Sequence, residues 1–407
     1  MENKTYTIEI GKLPKHTDYQ NGMERIGDEL YFKVLSHVAS YDGEKYTECD
    51  VISALSHEKC TVDDLCALLS PAAEAYLEPI AQKAAEITSR NFGNTVSLFT
   101  PLYISNYCEN RCLYCGFNKS SGIRRMKLNS DEIEREMEII AKSGMEDVLV
   151  LTGESEKFSP VEYIGDACRI ARRYFKNVSL EIYPVNIDDY RYLHECGADY
   201  VTVFQETYDP ATYGILHPAG RKRSMPYRFN AQERALMGGM RGVAFGALFG
   251  LADFRRDALA AALHLNELSR KYPHAEMSLS CPRLRPSAGR CEFDTHEIDE
   301  KTLCQILCAW RIFLPFCGIT VSSRESARFR DGIVKIAATK ISAGVSTGIG
   351  DHKSKYEGVC EDEAHGDEQF EICDDRSLRE MYDAMKHEGL QPILNDAVFT
   401  EGKCDVL

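Results

Sequence analysis

Patterns typical of buried strands and of amphipathic helices alternate along the chain from residue 97 to residue 345. Eight short apolar runs have the length of β-strands, and most are followed by apolar residues at helical spacing. The predicted strands are Ser97–Ser105, Asp147–Thr152, Val178–Tyr183, Tyr200–Gln205, Gly242–Phe249, Glu276–Ser280, Ile319–Ser322 and Ile341–Val345. The predicted helices between them are Ser130–Ser143, Pro160–Phe175, Asp188–Cys196, Asn230–Gly239, Arg255–Tyr272, Lys301–Phe313 and Glu325–Ala338. Strands that alternate with helices pair in parallel through right-handed crossovers.

Eight such units predict an α/β fold. Their combined length of about 250 residues is typical of a complete (β/α)8 barrel of the TIM type, and an open doubly wound sheet is the alternative. The 407 residues of the chain exceed what one core comfortably needs, so segments outside the barrel are expected. We predict an N-terminal helical extension over residues 1–95, the barrel over 96–346, and a C-terminal loop and helix over 347–407 that close the barrel.

Both flanking segments show helical features. Between Gly22 and Arg90 the apolar residues have helical spacing, and Thr61 is placed to cap a helix. This extension is predicted to cover the barrel, with a partner-binding arm as the alternative. Ser346–Gln369 is rich in Gly and charged residues and is predicted to be a mobile loop, and the last helix is predicted over Ser377–His387.

The charge and the cysteine content narrow the class of protein and its location. A net charge of −15 argues against nucleic acid or an anionic membrane as the main partner. No stretch approaches the ~20 apolar residues that cross a membrane, and the first residues, MENKTYTIEIGKL, lack the apolar segment of a signal peptide. Sixteen cysteines in so long a chain indicate reduced thiols rather than a disulfide framework. We therefore expect a cytoplasmic protein.

Three cysteines follow the first predicted strand with the spacing Cys108-x-x-x-Cys112-x-x-Cys115. Cys thiolates are the usual ligands of [4Fe–4S] clusters, and three of them leave one iron open to another ligand. An open iron indicates chemistry rather than electron storage, and Tyr114 could lie against a flat group bound beside it. Structural zinc sites need four ligands, and the nearest downstream histidines do not supply the missing spacing. A zinc site and a chance grouping remain as alternatives.

Polar residues collect at the carboxyl ends of most of the predicted strands. In (β/α)8 barrels these ends form the functional face. A Glu or Arg at one strand end is usually a solvated terminus, but polar groups after six of eight strands predict a single polar cavity. The residues concerned are the cysteine triplet, Thr152-Gly153-Glu154, Glu181, Gln205-Glu206-Thr207, Arg283, Arg285 and Ser322-Ser323-Arg324-Glu325-Ser326.

The cysteine loop and several longer segments resemble a known family. The spacing CxxxCxxC with an aromatic residue before the third Cys is the signature of radical S-adenosylmethionine (SAM) enzymes. Within that superfamily the chain resembles the aromatic amino acid lyases, and most closely those that cleave tyrosine. The segments that carry the resemblance, from about residue 97 to residue 396, are PLYISNYCENRCLYCGF, LVLTGE, VFQETYDPATYGILHPAGRK, GALFGL, CPRLRP, SSRESARFRD, EQFEICDDRS and GLQPILND.

The resemblance implies the cofactors and the residues that bind them. Cys108, Cys112 and Cys115 would hold one [4Fe–4S] cluster, whose open iron chelates SAM. Glu154 and the two residues before it match the segment that receives the amino group of SAM, where a carboxylate suits an ammonium. Glu181 matches a position near the ribose. The implied cofactor-binding residues are Tyr114, Thr152, Gly153, Glu154, Glu181 and Gln205.

The resemblance also implies three residues that act on the substrate. Arg324 matches the arginine that the related lyases aim at the substrate carboxylate, and a guanidinium fork can pair both carboxylate oxygens at once. Tyr103 and Ser342 match positions close to the substrate backbone, and ordinary barrel lining is the alternative for these two.

The implied reaction begins with one electron that cleaves SAM to methionine and a 5′-deoxyadenosyl radical. This radical would remove a hydrogen from L-tyrosine, and the Cα–Cβ bond would then break to give 2-iminoacetate and p-cresol for the thiazole of thiamine. The electron donor would be a flavodoxin or a ferredoxin. Because 2-iminoacetate hydrolyses easily, thiazole synthase is a further expected partner.

The cysteines near the end of the chain argue against one related activity, the tyrosine lyase of hydrogenase maturation. The tyrosine lyases of hydrogenase maturation carry a second, C-terminal cluster held by a CxxC pair, whereas Cys360, Cys373 and Cys404 here include no such pair. A tryptophan lyase or another aromatic amino acid lyase remains an alternative, because only a few side chains of the pocket determine whether it accepts a phenol or an indole ring. A non-catalytic iron–sulfur redox or sensor protein is the third reading, although an electron carrier needs neither Glu154 nor Arg324.

Overall fold

Eight parallel strands close into a barrel in the computed structural model, which describes residues 15–280, 282–287, 293–352 and 368–394. The strands are β1 Thr95–Ser105, β2 Asp147–Thr152, β3 Asn177–Glu181, β4 Tyr200–Thr202, β5 Gly242–Gly246, β6 Glu276–Ser280, β7 Gly318–Val321 and β8 Lys340–Ser342. Each strand pairs with the next along the chain, and β8 pairs with β1 through Lys340–Ser342 and Ser97–Phe99. This last pairing closes the sheet.

Helices lie between the strands and before β1. They are α1 Glu29–Ser40, α2 Glu48–Ser56, α3 Val62–Leu69, α4 Leu77–Phe92, α5 Ser130–Lys142, α6 Val161–Ala171, α7 Ile187–Glu195, α8 Pro210–Leu216, α9 Met225–Phe229, α10 Ala231–Met237, α11 Phe254–Lys271, α12 Glu300–Phe313, α13 Ala327–Ile333 and α14 Leu378–His387. Short 3₁₀ turns occupy Gly43–Lys45, Pro71–Tyr76 and Arg221–Arg223. None of the helices in the described ranges combines the length and the apolar character required to span a membrane.

The structure confirms the predicted (β/α)8 barrel, and the open doubly wound sheet is wrong because β8 returns to β1. All eight predicted strands are present, several of them shorter than predicted. The side chain of Asn129 caps α5 by accepting hydrogen bonds from the backbone of Asp131 and Glu132, at 3.0 Å each. Local periodicity therefore placed these elements correctly, and the cap at Asn129 stabilises the start of α5.

Three elements differ from the prediction. Between β4 and β5 the chain forms three short helices, α8, α9 and α10, where one helix was predicted over Asn230–Gly239, the region of α10. Each of the three covers about two turns or fewer, so a helical period is weak in their sequence. The helix predicted over Glu325–Ala338 is shorter, since the backbone of Ala337 and Ala338 turns back to the carbonyl of Ile333. A ninth strand, β9 Gln391–Ile393, extends the sheet beside Thr95–Ser97 of β1 and was not predicted.

The N-terminal helices lie against the outside of the barrel. Helix α1 packs on α11, whereas α3 and α4 pack on α12. Thr61 caps α3 by accepting a hydrogen bond from the backbone of Asp64 at 3.1 Å, as the sequence predicted. Most of the loop predicted over Ser346–Gln369, residues 353–367, lies outside the described residues, and the first part of it is buried at Ser346, Thr347 and His352.

The interior of the barrel is hollow, and both polar and apolar side chains line it. Barrels of this type are normally filled by layers of branched apolar side chains. Here small or hydroxyl-bearing residues point inward from most strands, and a cavity of about 540 Å³ runs from the first residues of the strands to their carboxyl ends. Inward-facing residues of this kind are Ser97, Ser179, Thr202, Ala244, Ser278, Ser280, Thr320 and Ser342.

Candidate active site

The loop that carries the three cysteines leaves β1 at Ser105 and is held by its own return segment. Asn106 accepts a hydrogen bond from the backbone of Met126 at 2.7 Å and donates to the carbonyl of Arg124 at 2.9 Å. The guanidinium of Arg125 donates to the carbonyl of Phe117 at 2.8 Å. Residues 106–127, which we call the cluster loop, therefore have a fixed shape at the functional end of the barrel.

The three predicted cluster ligands lie close enough to influence one another electrostatically. Cys112 is buried, whereas Cys108 and Cys115 are half-buried, and Cys115 lines the cavity. Burial, with a further contribution from Glu154, raises the pKa of Cys108 to about 12. Burial also raises the pKa values of Cys112 and Cys115. Bare thiolates are therefore unfavourable here, and a multivalent iron centre that binds thiolates would supply the missing positive charge.

The donor set fits a multi-iron cluster rather than a single ion. In the described part of the chain, no three His, Cys, Asp or Glu side chains are arranged around one metal ion. Each thiolate of a [4Fe–4S] cube binds a different iron, so its ligands need not meet at one point. The cysteine triplet on one loop meets that requirement, and the three thiols would hold the cluster beside the cavity that Cys115 lines.

Thr152-Gly153-Glu154 lies directly against the cluster loop. The backbone of Gly153 donates to the carbonyl of Ser105 at 2.7 Å, and that of Glu109 donates to the carbonyl of Glu154 at 2.9 Å. A Cβ atom on Gly153 would lie 2.3 Å from the carbonyl oxygen of Tyr107, which is impossible without moving backbone. Only glycine allows this approach, and it brings Glu154 beside the three thiols.

Glu154 belongs to a buried network of two carboxylates and two cations. It lies 2.9 Å from Arg228 and 3.4 Å from Lys222, and Lys222 lies 2.6 Å from Glu206. Burial opposes the charge of Glu154, but Lys222 and Arg228 outweigh it and hold the pKa of this carboxyl below its usual value. Asn110 on the cluster loop also donates to Glu154, at 2.7 Å. The network fixes an ionised carboxylate next to the cluster loop.

After β4 the structure brings Glu206 to the cavity, and Gln205, which the sequence had assigned to cofactor binding, does not line it. Gln205 is buried, and its side-chain amide has no hydrogen-bond partner among the described residues. Glu206 has φ +71°, the left-handed region that only it occupies among the described residues other than glycine. Asp257 holds the next residues by accepting from Thr207 at 3.1 Å and from the backbone of Tyr208 at 2.7 Å. Backbone strain such as the left-handed conformation of Glu206 concentrates at functional sites.

Tyr114 lines the cavity and is fixed by a histidine that the sequence did not single out. His217 donates from Nδ1 to the carbonyl of Tyr213 at 2.8 Å, which leaves Nε2 to accept from the hydroxyl of Tyr114 at 2.8 Å. Burial lowers the pKa of His217 well below its usual value, so the ring is neutral and this arrangement is stable. The aromatic plane of Tyr114 is therefore held in one orientation beside the cluster thiols.

Arg324 faces the same cavity, after β7, together with Tyr103, Glu181 and Ser342. Its guanidinium lies 3.4 Å from the ring centre of Phe370. Burial lowers the pKa of Arg324, although a guanidinium stays charged in proteins. The Oγ of Ser342 accepts a hydrogen bond from the backbone of Ser323 at 3.0 Å, so it supports the loop that carries Arg324.

Arg283 and Arg285, which follow β6, pair with one carboxylate. Arg283 donates two hydrogen bonds of 3.0 Å to Glu325, and Arg285 lies 3.4 Å from the same carboxylate. Arg285 lines the cavity and Arg283 does not. Arg324 has no carboxylate within ion-pair distance in the described ranges, so its charge is directed toward the cavity.

Gln369 connects the substrate side of the cavity to the cluster loop, and sequence reasoning missed it. Its Oε1 accepts from the hydroxyl of Tyr103 at 2.9 Å, and its Nε2 donates to the sulfur of Cys115 at 3.7 Å. Hydrogen bonds to cluster sulfurs are one way in which proteins adjust iron–sulfur potentials. The only sequence signal was that Gln369 lies in EQFEICDDRS, one of the segments of the resemblance.

Glu181 provides a prediction about stability and pH. Burial, and then the nearby charge of Glu206, raise the pKa of Glu181 to about 7. The folded chain then binds more protons than the unfolded chain between about pH 4.5 and pH 7, so stability falls as pH rises through that window. Glu181→Gln should therefore raise the free energy of unfolding at pH 8, by on the order of 3 kcal/mol at most, and change it less at pH 4.5. Denaturant unfolding of the cluster-free chain at both pH values measures this, and equal effects at the two would contradict it.

Comparison with known proteins agrees with this fold and site. Two family profiles match: the Radical SAM superfamily over residues 102–261 and the Biotin and Thiamin Synthesis associated domain over residues 280–391. The 2-iminoacetate synthases of Salmonella typhimurium and Escherichia coli are each 38% identical over 86% of this chain and 91% of their own length.

Solved structures show the same relationship. A crystal structure of HydG, a maturase of the [FeFe]-hydrogenase, superposes with a TM-score of 0.78 at 29% identity, and covers 91% of this chain and 81% of HydG. HydG from Carboxydothermus hydrogenoformans gives a TM-score of 0.79 at 26% identity over 93% and 85% of the two chains. Methylornithine synthase shares the fold, with a TM-score of 0.66 over 84% of this chain and 97% of its own.

The barrel, the cysteine loop and these matches together define a radical SAM enzyme, which uses a [4Fe–4S] cluster and SAM. Within that superfamily the chain belongs to the 2-iminoacetate synthase family of carbon–carbon lyases.

Proposed function

We propose that this protein cleaves the Cα–Cβ bond of L-tyrosine to 2-iminoacetate and p-cresol for the thiazole of thiamine. The observation that carries the proposal is Arg324, a half-buried guanidinium that lines the same cavity as Cys115 and Tyr114 of the cluster loop. A fixed cation opposite a SAM-binding site suits an amino acid whose carboxylate must be anchored while its backbone is brought to the reacting centre. The similarity to the 2-iminoacetate synthases supports tyrosine as that amino acid.

The cofactors would be held at the end of β1 and β2. Cys108, Cys112 and Cys115 would bind three irons of the cluster, and Glu154 would accept hydrogen bonds from the amino group of SAM. When bound, the cluster and SAM supply a 5′-deoxyadenosyl radical that removes one hydrogen atom. The ionised state of Glu154, maintained by Lys222 and Arg228, suits an ammonium ligand.

Tyr114 and Glu181 would orient the rest of SAM. The ring of Tyr114, fixed by His217, offers a flat apolar face, and Glu181 lies in the cavity where its carboxyl can accept hydrogen bonds from ribose hydroxyls. Glu206, on the neighbouring strand end, offers a second carboxylate to the same space. These roles follow the sequence prediction, except that Glu206 takes the place of Gln205.

On the substrate side, Arg324 would pair with the carboxylate of tyrosine through two hydrogen bonds. Phe370 covers one face of the guanidinium and so restricts the plane in which those bonds form. The hydroxyl of Tyr103 is already engaged by Gln369, and both would lie beside the substrate backbone. Such an arrangement holds the Cα–Cβ bond in one place and excludes water from the reacting centre.

Two protein partners and a location complete the proposal. A flavodoxin or a ferredoxin would supply the single electron, and thiazole synthase would receive 2-iminoacetate before it hydrolyses. Both steps suit the reducing cytoplasm, where the cysteines of the described residues that do not bind the cluster would stay reduced.

The decisive test is product analysis with the reconstituted, reduced enzyme. Incubation with SAM and L-tyrosine should give 5′-deoxyadenosine, p-cresol and glyoxylate, the hydrolysis product of 2-iminoacetate. L-tryptophan and L-phenylalanine in parallel incubations should give no aromatic fragment. Indolic products from tryptophan would transfer the assignment to a tryptophan lyase, and an absence of SAM cleavage with all three would favour a redox or sensor protein.

The number of clusters separates this proposal from hydrogenase maturation. Anaerobic reconstitution should give one cube, about four irons per chain, because no CxxC pair occurs in the tail. Cys373 is exposed, and Cys360 and Cys404 lie outside the described residues. Iron and sulfide analysis of the full chain measures the number. About eight irons, reduced to four by truncation before Cys360, would contradict the prediction.

A further inference from the structure

The surface around the cluster loop is basic, although the protein as a whole is acidic. Residues 107–128 include five basic residues and one acidic residue, Glu109, in a chain of net charge −15. Lys119, Arg124 and Lys127 of this segment are exposed, and so is Lys157, on the loop that follows Glu154. Positive charge is therefore concentrated on the cluster loop and beside it at Lys157, where the exposed Glu156 is already paired with Arg221 at 2.7 Å.

An aromatic pair lies within this basic surface. Tyr107 precedes the ligand Cys108 in sequence, and its ring stacks on that of Phe158 with 4.1 Å between centroids. Phe158 is 36% exposed, one of six large apolar side chains that are exposed in the described residues. The pair is thus a small apolar surface one residue away from a half-buried cluster thiol.

One of the basic residues, Lys157, contacts the aromatic pair directly, and two others contact residues of the neighbouring segments. Lys157 lies 5.2 Å from the ring centre of Phe158, and Lys127 lies 3.9 Å from that of Tyr163, at the start of α6. The backbone of Lys119 donates to the carbonyl of Asn110, within the cysteine motif, at 2.8 Å. We call the whole surface the cluster-side patch, which consists of Tyr107, Phe158, Lys119, Arg124, Lys127 and Lys157.

We propose that the cluster-side patch is the docking surface for an acidic one-electron carrier protein. The inference rests on the proposed radical SAM function, which requires one electron per turnover from outside the chain. In this electron transfer, the reduced centre of the carrier loses one electron and the cluster gains it, and no bond or proton is exchanged. The carrier would approach through the aromatic pair, because electron transfer slows steeply with distance and Tyr107 directly precedes Cys108 in the chain.

The composition of the patch fits a brief encounter rather than a permanent complex. Weak redox complexes bury small interfaces, at the low end of the range for protein pairs. Opposite charges around a small apolar centre accelerate such encounters and fix the orientation without a large gain in affinity. An acidic carrier would otherwise be repelled by a protein of charge −15, so a local positive surface is needed for productive contact.

The test compares two charge-reversal double variants of the full-length, cluster-loaded enzyme. Lys119→Glu with Lys157→Glu alters the patch. Lys142→Glu with Lys386→Glu is the matched control, since both residues are exposed near the ends of α5 and α14, which precede strands and so lie at the opposite end of the barrel. The probe is reduced flavodoxin at 50 mM salt, and photoreduced deazariboflavin, a small uncharged reductant, replaces it in a parallel series.

We expect the patch variant to raise the KM for flavodoxin about tenfold, and its Kd for oxidised flavodoxin similarly. The control variant should stay within about twofold of the wild type. With deazariboflavin as the reductant, the turnover rate should be equal in the wild type, the patch variant and the control variant. A failure of the tyrosine lyase assignment would therefore be visible separately. In the wild type, 500 mM salt should weaken flavodoxin binding and leave the deazariboflavin rate unchanged.

An unchanged Kd for flavodoxin in the patch variant would overturn the proposal, and so would flavodoxin binding that does not respond to salt in the wild type. If charge reversal disturbed the cluster loop itself, the deazariboflavin rate would fall as well, and the salt dependence of the wild type would then decide. An equal loss of affinity for flavodoxin in both double variants would show that the total charge of the protein, and not this patch, governs the encounter. That result would also overturn the proposal.

Discussion

Replacing Arg324 by leucine should reduce the kcat/KM for tyrosine at least about a hundredfold, while the cluster and SAM binding stay intact. Leucine removes the cation that pairs with the substrate carboxylate, and the Cα–Cβ bond is then no longer held in one position. Arg324 lies on the loop after β7, whereas the three cluster ligands are all carried by the loop after β1, so the cluster should form normally. The measurement is tyrosine turnover together with the visible spectrum and uncoupled SAM cleavage.

Two further variants separate the carboxylate contact from a general loss of packing. Arg324→Lys should restore little activity, because an ammonium fixes distance without fixing orientation. Phe370→Leu removes the ring 3.4 Å from the guanidinium and should raise KM with a smaller effect, since the charge remains. If Arg324→Leu turned over tyrosine at the normal rate, the carboxylate would bind elsewhere. Arg285 would be the next candidate, because it lines the cavity whereas Arg283 is bound to Glu325 away from it.

Replacing any one of Cys108, Cys112 and Cys115 by alanine should remove the iron–sulfur absorbance and all SAM cleavage. A cube held by three thiolates loses a ligand from one iron, and no spare thiol among the described residues lines the cavity. Cys373→Ala is the control, because Cys373 is also a free thiol but is exposed and outside the cavity. It should retain the full iron content and activity.

A second readout keeps the cysteine prediction informative even for a destabilised variant. Burial raises the pKa values of all three thiols, so alanine at these positions should not destabilise the cluster-free chain through loss of charge. Thermal unfolding of the cluster-free variants should therefore remain close to that of the wild type. SAM cleavage that survived in a stable, folded variant would refute the assignment of that cysteine.

The sequence alone was sufficient for the barrel and for the cluster ligands. Strand-length apolar runs and helical periodicity are local signals, and all eight strands lie where these signals placed them. The spacing of Cys108, Cys112 and Cys115 is also local, since one loop carries all three. The sequence did not predict β9, a strand of three residues that forms where β1 offers it a free backbone edge. Nor did it resolve the short helices α8 and α9, which tertiary packing stabilises more than their own period does.

The tertiary structure decided which side chains share the cavity. The resemblance pointed to Gln205, but the alternation that brings Tyr200, Thr202 and Phe204 into the cavity continues to Glu206, so the carboxylate of Glu206 lies there instead. Gln369 reaches Tyr103 across 266 residues of sequence and Cys115 across 254. His217 reaches Tyr114 across 103. Such contacts depend on how loops from different strands meet above a closed barrel, and no local pattern in the sequence encodes that meeting.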